Sequence, residues 1–302
     1  MLITRRRRAG FTLTELLIAL ACASVVCAAI AAIALRQQRL FVELADNAAV
    51  TGRLREVIAT LPIDLRAVSP AAGDIREARD TALEIRATIA SAVVCDTVGG
   101  VSGRSAILGP AAAGAETYAA VLTPIAAGDT AWLLDARDTV EQWVPRRVTS
   151  VSTTTASRCA SGGPVVSGMP FAATSLALDT LAPARAGSVI RVTRPVRYSL
   201  YRSSDGSWQL GAHDWSTTAA RFNTIQPLAG PLLPPSGRGL VLSYFDSAGA
   251  AVSNPGATAA GLALIHIAAR SQATMPTRVL GAKGTVRRED SLDAAVFLHN
   301  RR

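Results

Sequence analysis

From Phe11 to Leu35 the chain reads FTLTELLIALACASVVCAAIAAIAL, 25 residues that are mostly Leu, Ile, Val and Ala. A helix needs about 20 apolar residues to cross the hydrocarbon core of a bilayer, so this run is long enough to span. Arg5 to Arg8 precede it. Cationic flanks stay on the cytoplasmic side, which puts the rest of the chain outside the cytoplasm. One residue resists this reading: Glu15 lies inside the apolar run, where a carboxylate is costly.

A cleaved secretory signal has an apolar region of about 7–15 residues before a small-x-small cleavage site. Ala19-Leu20-Ala21 imitates such a site, but the run continues well past it. A lipoprotein signal would place its lipid on Cys22, and the long apolar stretch after Cys22 fits that poorly. A plain signal anchor accounts for the length and leaves Glu15 unexplained.

The residues RRRRAG followed by FTLTELLIAL closely resemble the class III signal of type IV prepilins and type II secretion pseudopilins. The resemblance implies that a membrane-embedded prepilin peptidase cuts after Gly10 and methylates the new N-terminal Phe11. It places Glu15 at the acid of mature position five, and it implies that the apolar segment is retained. Cleavage would create an α-amino cation on Phe11, and residues four apart share a helix face. By the same resemblance, Glu15 pairs with the Phe11 amine of a neighbouring subunit when helices bundle in a filament. A buried charge is tolerated when it is paired, so the acid favours assembly in register. The implied partners are the peptidase, other pilins or pseudopilins, the inner-membrane assembly machinery and membrane lipid.

Residues 36–61 continue as an amphipathic helix, with Leu40, Leu44, Ala48, Thr51, Val57 or Ile58, and Leu61 near one face. Pro62 is expected to end or kink it. This divides the chain into a leader (1–10), a membrane helix (11–35), its amphipathic continuation (36–61) and a β-rich extracytoplasmic head (62–302). Strands are expected over 81–86, 89–95, 132–134, 142–151, 188–192, 197–201, 208–210, 240–245, 263–269 and 294–298. Asp205-Gly206 marks a hairpin turn, and Asp246 with Gly249 another. Residues 99–130 read as loop with short elements. The fold class is therefore α+β and pilin-like, a long N-terminal helix packed on an antiparallel sheet. The stretches VRYSLYRSSDGSWQL, LVLSYFDSAG and AAVFLHN resemble, more loosely, the heads of PilW-like minor pilins and J-type minor pseudopilins. His299-Asn300 stands where those heads usually carry an Arg.

The net charge of +9 invites a nucleic-acid partner, but Arg5 to Arg8 supply four of the nine. No basic stripe interleaved with aromatics occurs elsewhere, so no nucleic acid is expected. Of four cysteines, Cys22 and Cys27 lie in the apolar run and read as small buried hydrophobes. Cys95 and Cys159 fit one disulfide in an oxidising compartment; a zinc site competes, without CxxC spacing or a nearby His pair. GxSxG, HExxH, SxxK and Walker A motifs are absent. His213-Asp214 are adjacent on a strand and point to opposite faces, His266 reads as an exposed strand residue, and Trp208 and Trp215 as packing residues. Neither a cofactor nor a metal is expected, and no loop gathers enough oxygen ligands to claim a calcium site. The chain is expected to be a non-enzymatic minor subunit of a type IV pilus or type II secretion pseudopilus. The alternative is a membrane-anchored extracytoplasmic enzyme or binding protein.

Overall fold

Helix α1 (Leu13–Arg66) runs for 54 residues and leads into fourteen strands among the described residues. The computed structural model describes residues 12–98, 104–110, 118–135, 142–156, 159–160, 170–180, 185–253, 255–256, 259–278 and 285–298. The chain divides into two compact units, residues 1–51 with 273–288, and residues 52–272 with 289–302.

In the first unit, every residue of α1 from Leu13 to Val42 is exposed. Leu40 and Leu44 are exposed too, against the expected packing face. Cys22 and Cys27 are free and exposed rather than buried. Asp46 is tied down: its Oδ2 accepts from the Met275 backbone N–H at 2.8 Å.

In the second unit, α1 does not stop at Pro62. It continues to Arg66 although Pro62 cannot donate to the preceding turn. Leu54, Val57, Leu61 and Leu65 form an i, i+3, i+4 stripe that is almost wholly buried. Burial of Leu65 and of Val68 beyond it outweighs the lost hydrogen bond.

The strands of the head are β1 (Ile75–Ala78), β2 (Ala82–Val98), β3 (Ser105–Leu108), β4 (Ala119–Val121), β5 (Thr130–Asp135), β6 (Gln142–Ala156) and β7 (Phe171–Leu178). There follow β8 (Val189–Arg202), β9 (Trp208–Ser216), β10 (Arg221–Phe222), β11 (Gln226–Leu232), β12 (Leu240–Asp246), β13 (Leu262–Arg278) and β14 (Thr285–Phe297). The expected stretches 81–86 and 89–95 are one strand, β2, and 188–192 and 197–201 are one strand, β8. A register shift between Thr88 and Ala90 explains the break in alternation that makes β2 look like two strands.

β2 and β8 pair along most of their length, and each belongs to two structures. Their outer halves, Ala82–Thr88 and Thr193–Ser199, form an open antiparallel sheet with β1, β9 and β11. Tyr198 on this sheet shares a face with Leu83 and Ile85, and its hydroxyl donates to Asp64 of α1. Their inner halves join β3, β7, β6 and β5 in the order β2-β3-β7-β6-β5-β8, and the β2–β8 pairing closes that order into a six-stranded antiparallel ring. A buried cluster drawn from all six strands includes Val94, Leu108, Leu133, Val148, Leu176 and Ile190. Cys95 and Cys159 are joined across 64 residues, and the Ala160 N–H donates to the Cys95 carbonyl at 3.0 Å. A three-stranded sheet, β12-β13-β14, lies beside the β1–β2 turn, where the Leu242 N–H donates to Asp80 O at 2.6 Å.

Candidate assembly site

The helix begins with Thr12-Leu13-Thr14-Glu15, the Thr-x-x-Glu spacing of a capping box. Thr12 is the last residue before the helix, and its carbonyl accepts the first helical bond from Leu16 N–H at 3.2 Å. Its hydroxyl accepts from the Glu15 N–H at 3.3 Å. In return, Glu15 Oε2 accepts from the Thr12 N–H and from the Thr12 hydroxyl, each at 3.0 Å. Two donors at the helix start, which have no intrahelical partner, are thereby satisfied. A carboxylate here also meets the positive end of the helix dipole. Both bonds to the carboxylate fall on Oε2.

Glu15 thus has a local partner that intersubunit pairing alone does not supply, and the Thr-x-x-Glu spacing signals it in the sequence. Gly10 and Phe11 lie outside the described residues. The apolar surface beginning at Leu13 is long and apolar enough to cross a membrane, and none of its most apolar window is buried in the single chain. What the N-terminal segment presents is a capped helix start, one acid, and a long, mostly apolar exposed surface.

Residues 5–31 match the family model of the prokaryotic N-terminal methylation motif. That motif supports a chain of the type IV pilin and pseudopilin type. The match spans the Arg run, Gly10, Phe11, Glu15 and most of the exposed apolar helix. The motif supports a pilin-like or pseudopilin type of subunit with a structural role, and the one long apolar N-terminal helix is consistent with a single-pass membrane anchor. No curated protein and no solved structure matches the chain.

The polar residues singled out in the head are placed as follows. His213 Nδ1 lies 2.9 Å from Asn223 O, and Trp215 packs edge-on against Phe222 with centroids 5.0 Å apart. His266, half-exposed on β13, has Nε2 at 3.2 Å from Asp293 Oδ2 on β14. Asp246 Oδ1 accepts from the Ala248 and Ala250 N–H groups, each at 2.9 Å, with Gly249 at φ +80° completing the turn. His299 lies outside the described residues. Among the described residues, no three or more His, Cys, Asp and Glu gather as a metal site.

Several buried acids paired with arginines escaped the sequence reading, Asp74 with Arg191 among them. Asp74, fully buried, receives Arg191 Nη1 at 2.8 Å on Oδ2 and Nη2 at 3.1 Å on Oδ1. It also accepts from the Ser69 N–H at 2.8 Å, while Arg191 Nη1 reaches the Ala67 carbonyl just beyond α1 at 3.3 Å. Burial pushes the Asp74 carboxyl above the ordinary carboxylate range, and Arg191 pulls it partly back. Nothing in the local pattern at Asp74 or Arg191 signals this pairing, because 117 residues separate them.

Proposed function

We propose that the chain is a minor subunit of a type IV pilus or type II secretion pseudopilus. Prepilin peptidase cuts after Gly10 and Phe11 is N-methylated. The mature chain waits in the inner membrane as a single-pass protein with its head outside the cytoplasm. The assembly machinery then extracts it into the filament, where the apolar helices bundle.

The observation that carries this reading is the methylation motif over residues 5–31, running directly into a helix whose apolar surface is exposed from Leu13 to Val42. Lipid covers that surface before extraction and neighbouring helices cover it afterwards. Glu15 bonds to Thr12 within its own chain, and it takes the Phe11 amine of the next subunit as a second partner on assembly. A large head that adds a closed strand ring to the helix-and-sheet unit suits a subunit used once or a few times, which favours a minor role.

Cleavage is tested at the residue before the cut. Gly10→Leu places a bulky side chain there, so the variant should accumulate with its leader attached, detected by a mass larger by the first ten residues. Normal maturation of that variant would remove the peptidase assignment.

A further inference from the structure

The β2–β8 hairpin carries two cores rather than one. Every residue of the ring's buried cluster falls between Ile89 and Val192, including the partly buried Ile125 and Val151 packed against it. The open sheet has apolar burial of its own in Leu83, Ile85, Tyr198, Leu200 and Leu210, and α1 adds Leu54, Leu61 and Leu65. The two regions meet where β2 changes register, between Thr88 and Ala90, and there Thr88 stands opposite Thr193 on β8. The two ends of the segment 89–192 are therefore neighbours on one ladder. Chain ends held together in this way are what a tolerated insertion requires. Both bonded cysteines lie inside the segment.

The named side-chain links from the segment to the remainder of the head are polar or cation–π contacts rather than a shared apolar core. Arg191 reaches Asp74 and the Ala67 carbonyl. Arg194 forks onto Asp129 at 2.7 and 2.8 Å. The Arg86 guanidinium lies 5.2 Å from the Trp132 ring centroid.

We infer that residues 89–192 are a lobe inserted into the head-sheet hairpin, that the Cys95–Cys159 bond holds this lobe folded, and that α1 and the open sheet fold without it. Cooperative units follow contiguous apolar cores, and here the core divides at the register shift. The disulfide closes a 64-residue separation, so breaking it returns a large conformational freedom to the unfolded lobe. The base formed by α1, β1, β9, β11 and the outer halves of β2 and β8 has no such tether and needs none. The lobe is consequently the part of the head free to vary without disturbing the helix-bearing base. This division does not depend on the filament reading.

Hydrogen exchange read by mass spectrometry on the full-length chain in detergent tests it, comparing the oxidised protein with protein reduced by dithiothreitol and alkylated. Amides of β3, β5, β6 and β7 should exchange about a thousandfold faster after reduction. Those of β9 and of α1 from Gly52 to Arg66 should change by less than about twofold, as an independent base requires. Loss of protection in both regions together would overturn the inference, since the head would then be one cooperative unit. Unchanged protection in the lobe would overturn the role of the disulfide. A second variant joins Thr88 to Thr193 through Asn-Gly and carries Asp74→Asn, so that no buried carboxylate loses its arginine. It should keep the exchange protection of β9 seen in the parent, and an unprotected β9 would contradict a self-sufficient base.

Discussion

Glu15→Ala should mature normally and fail to enter filaments, with its content in sheared filament preparations falling at least tenfold relative to the parent chain. The alanine keeps helix propensity, so the membrane helix itself persists. What disappears is the proposed acceptor for the neighbouring Phe11 amine and the half of the capping box that answers the Thr12 N–H. Glu15→Gln separates the two losses. The amide oxygen can still accept from Thr12, which leaves the cap in place, but it carries no charge for an amine. If charge pairing between subunits governs entry, Gln fails as Ala does. Normal entry of the Ala variant would leave the acid with a local capping role alone.

The second large effect is expected in the head. Arg191→Ala leaves the Asp74 carboxylate buried without its two-pronged partner, with the Ser69 N–H and the charge of Arg86 still acting on it. Removing one partner of a buried pair typically costs about 3–5 kcal/mol, readable as a lower denaturant midpoint. The pH dependence has a definite sign. Asp74 has its folded value raised by burial, so the fold binds its proton more tightly than the unfolded chain does. Its ionisation therefore subtracts stability as pH rises from the ordinary Asp value through the raised one. Without Arg191 the folded value rises further, so the deficit of the variant should be greatest near neutral pH. It should shrink on acidification below the usual carboxylate range, where Asp74 is neutral folded and unfolded. A deficit that is flat or grows towards acid pH would contradict the charge-pair account.

The two ends of the molecule were unequally legible in the sequence. The N-terminal segment is almost fully readable, because length, hydropathy, the Arg run and Glu15 are local signals. The β8–β9 hairpin was equally open: Asp205-Gly206 lies in its turn, and Asp205 Oδ1 accepts from the Ser207 N–H at 2.9 Å. The ring was hidden. Its closure depends on β2 meeting β8 about a hundred residues later, and no local period reports a pairing at that range. β7, with the sequence FAATSLAL, carries little of the β-branched enrichment that marks a strand. Its place is set by β3 and β6 on either side. The packed face of α1 was misread at Leu40 and Leu44 because helical periodicity gives a face and not where burial begins. In the structure the buried stripe starts at Val50. At the helix start, Thr-x-x-Glu was readable as a capping box beside its reading as part of a processing signal. The two roles share the same residues.

Processing as a pilin is read from intact-mass and N-terminal peptide mass spectrometry of the protein isolated from membranes. The expected chain begins at Phe11 and carries one methyl group on its α-amine. A chain that keeps Met1, or that begins at a lipidated Cys22, would contradict it.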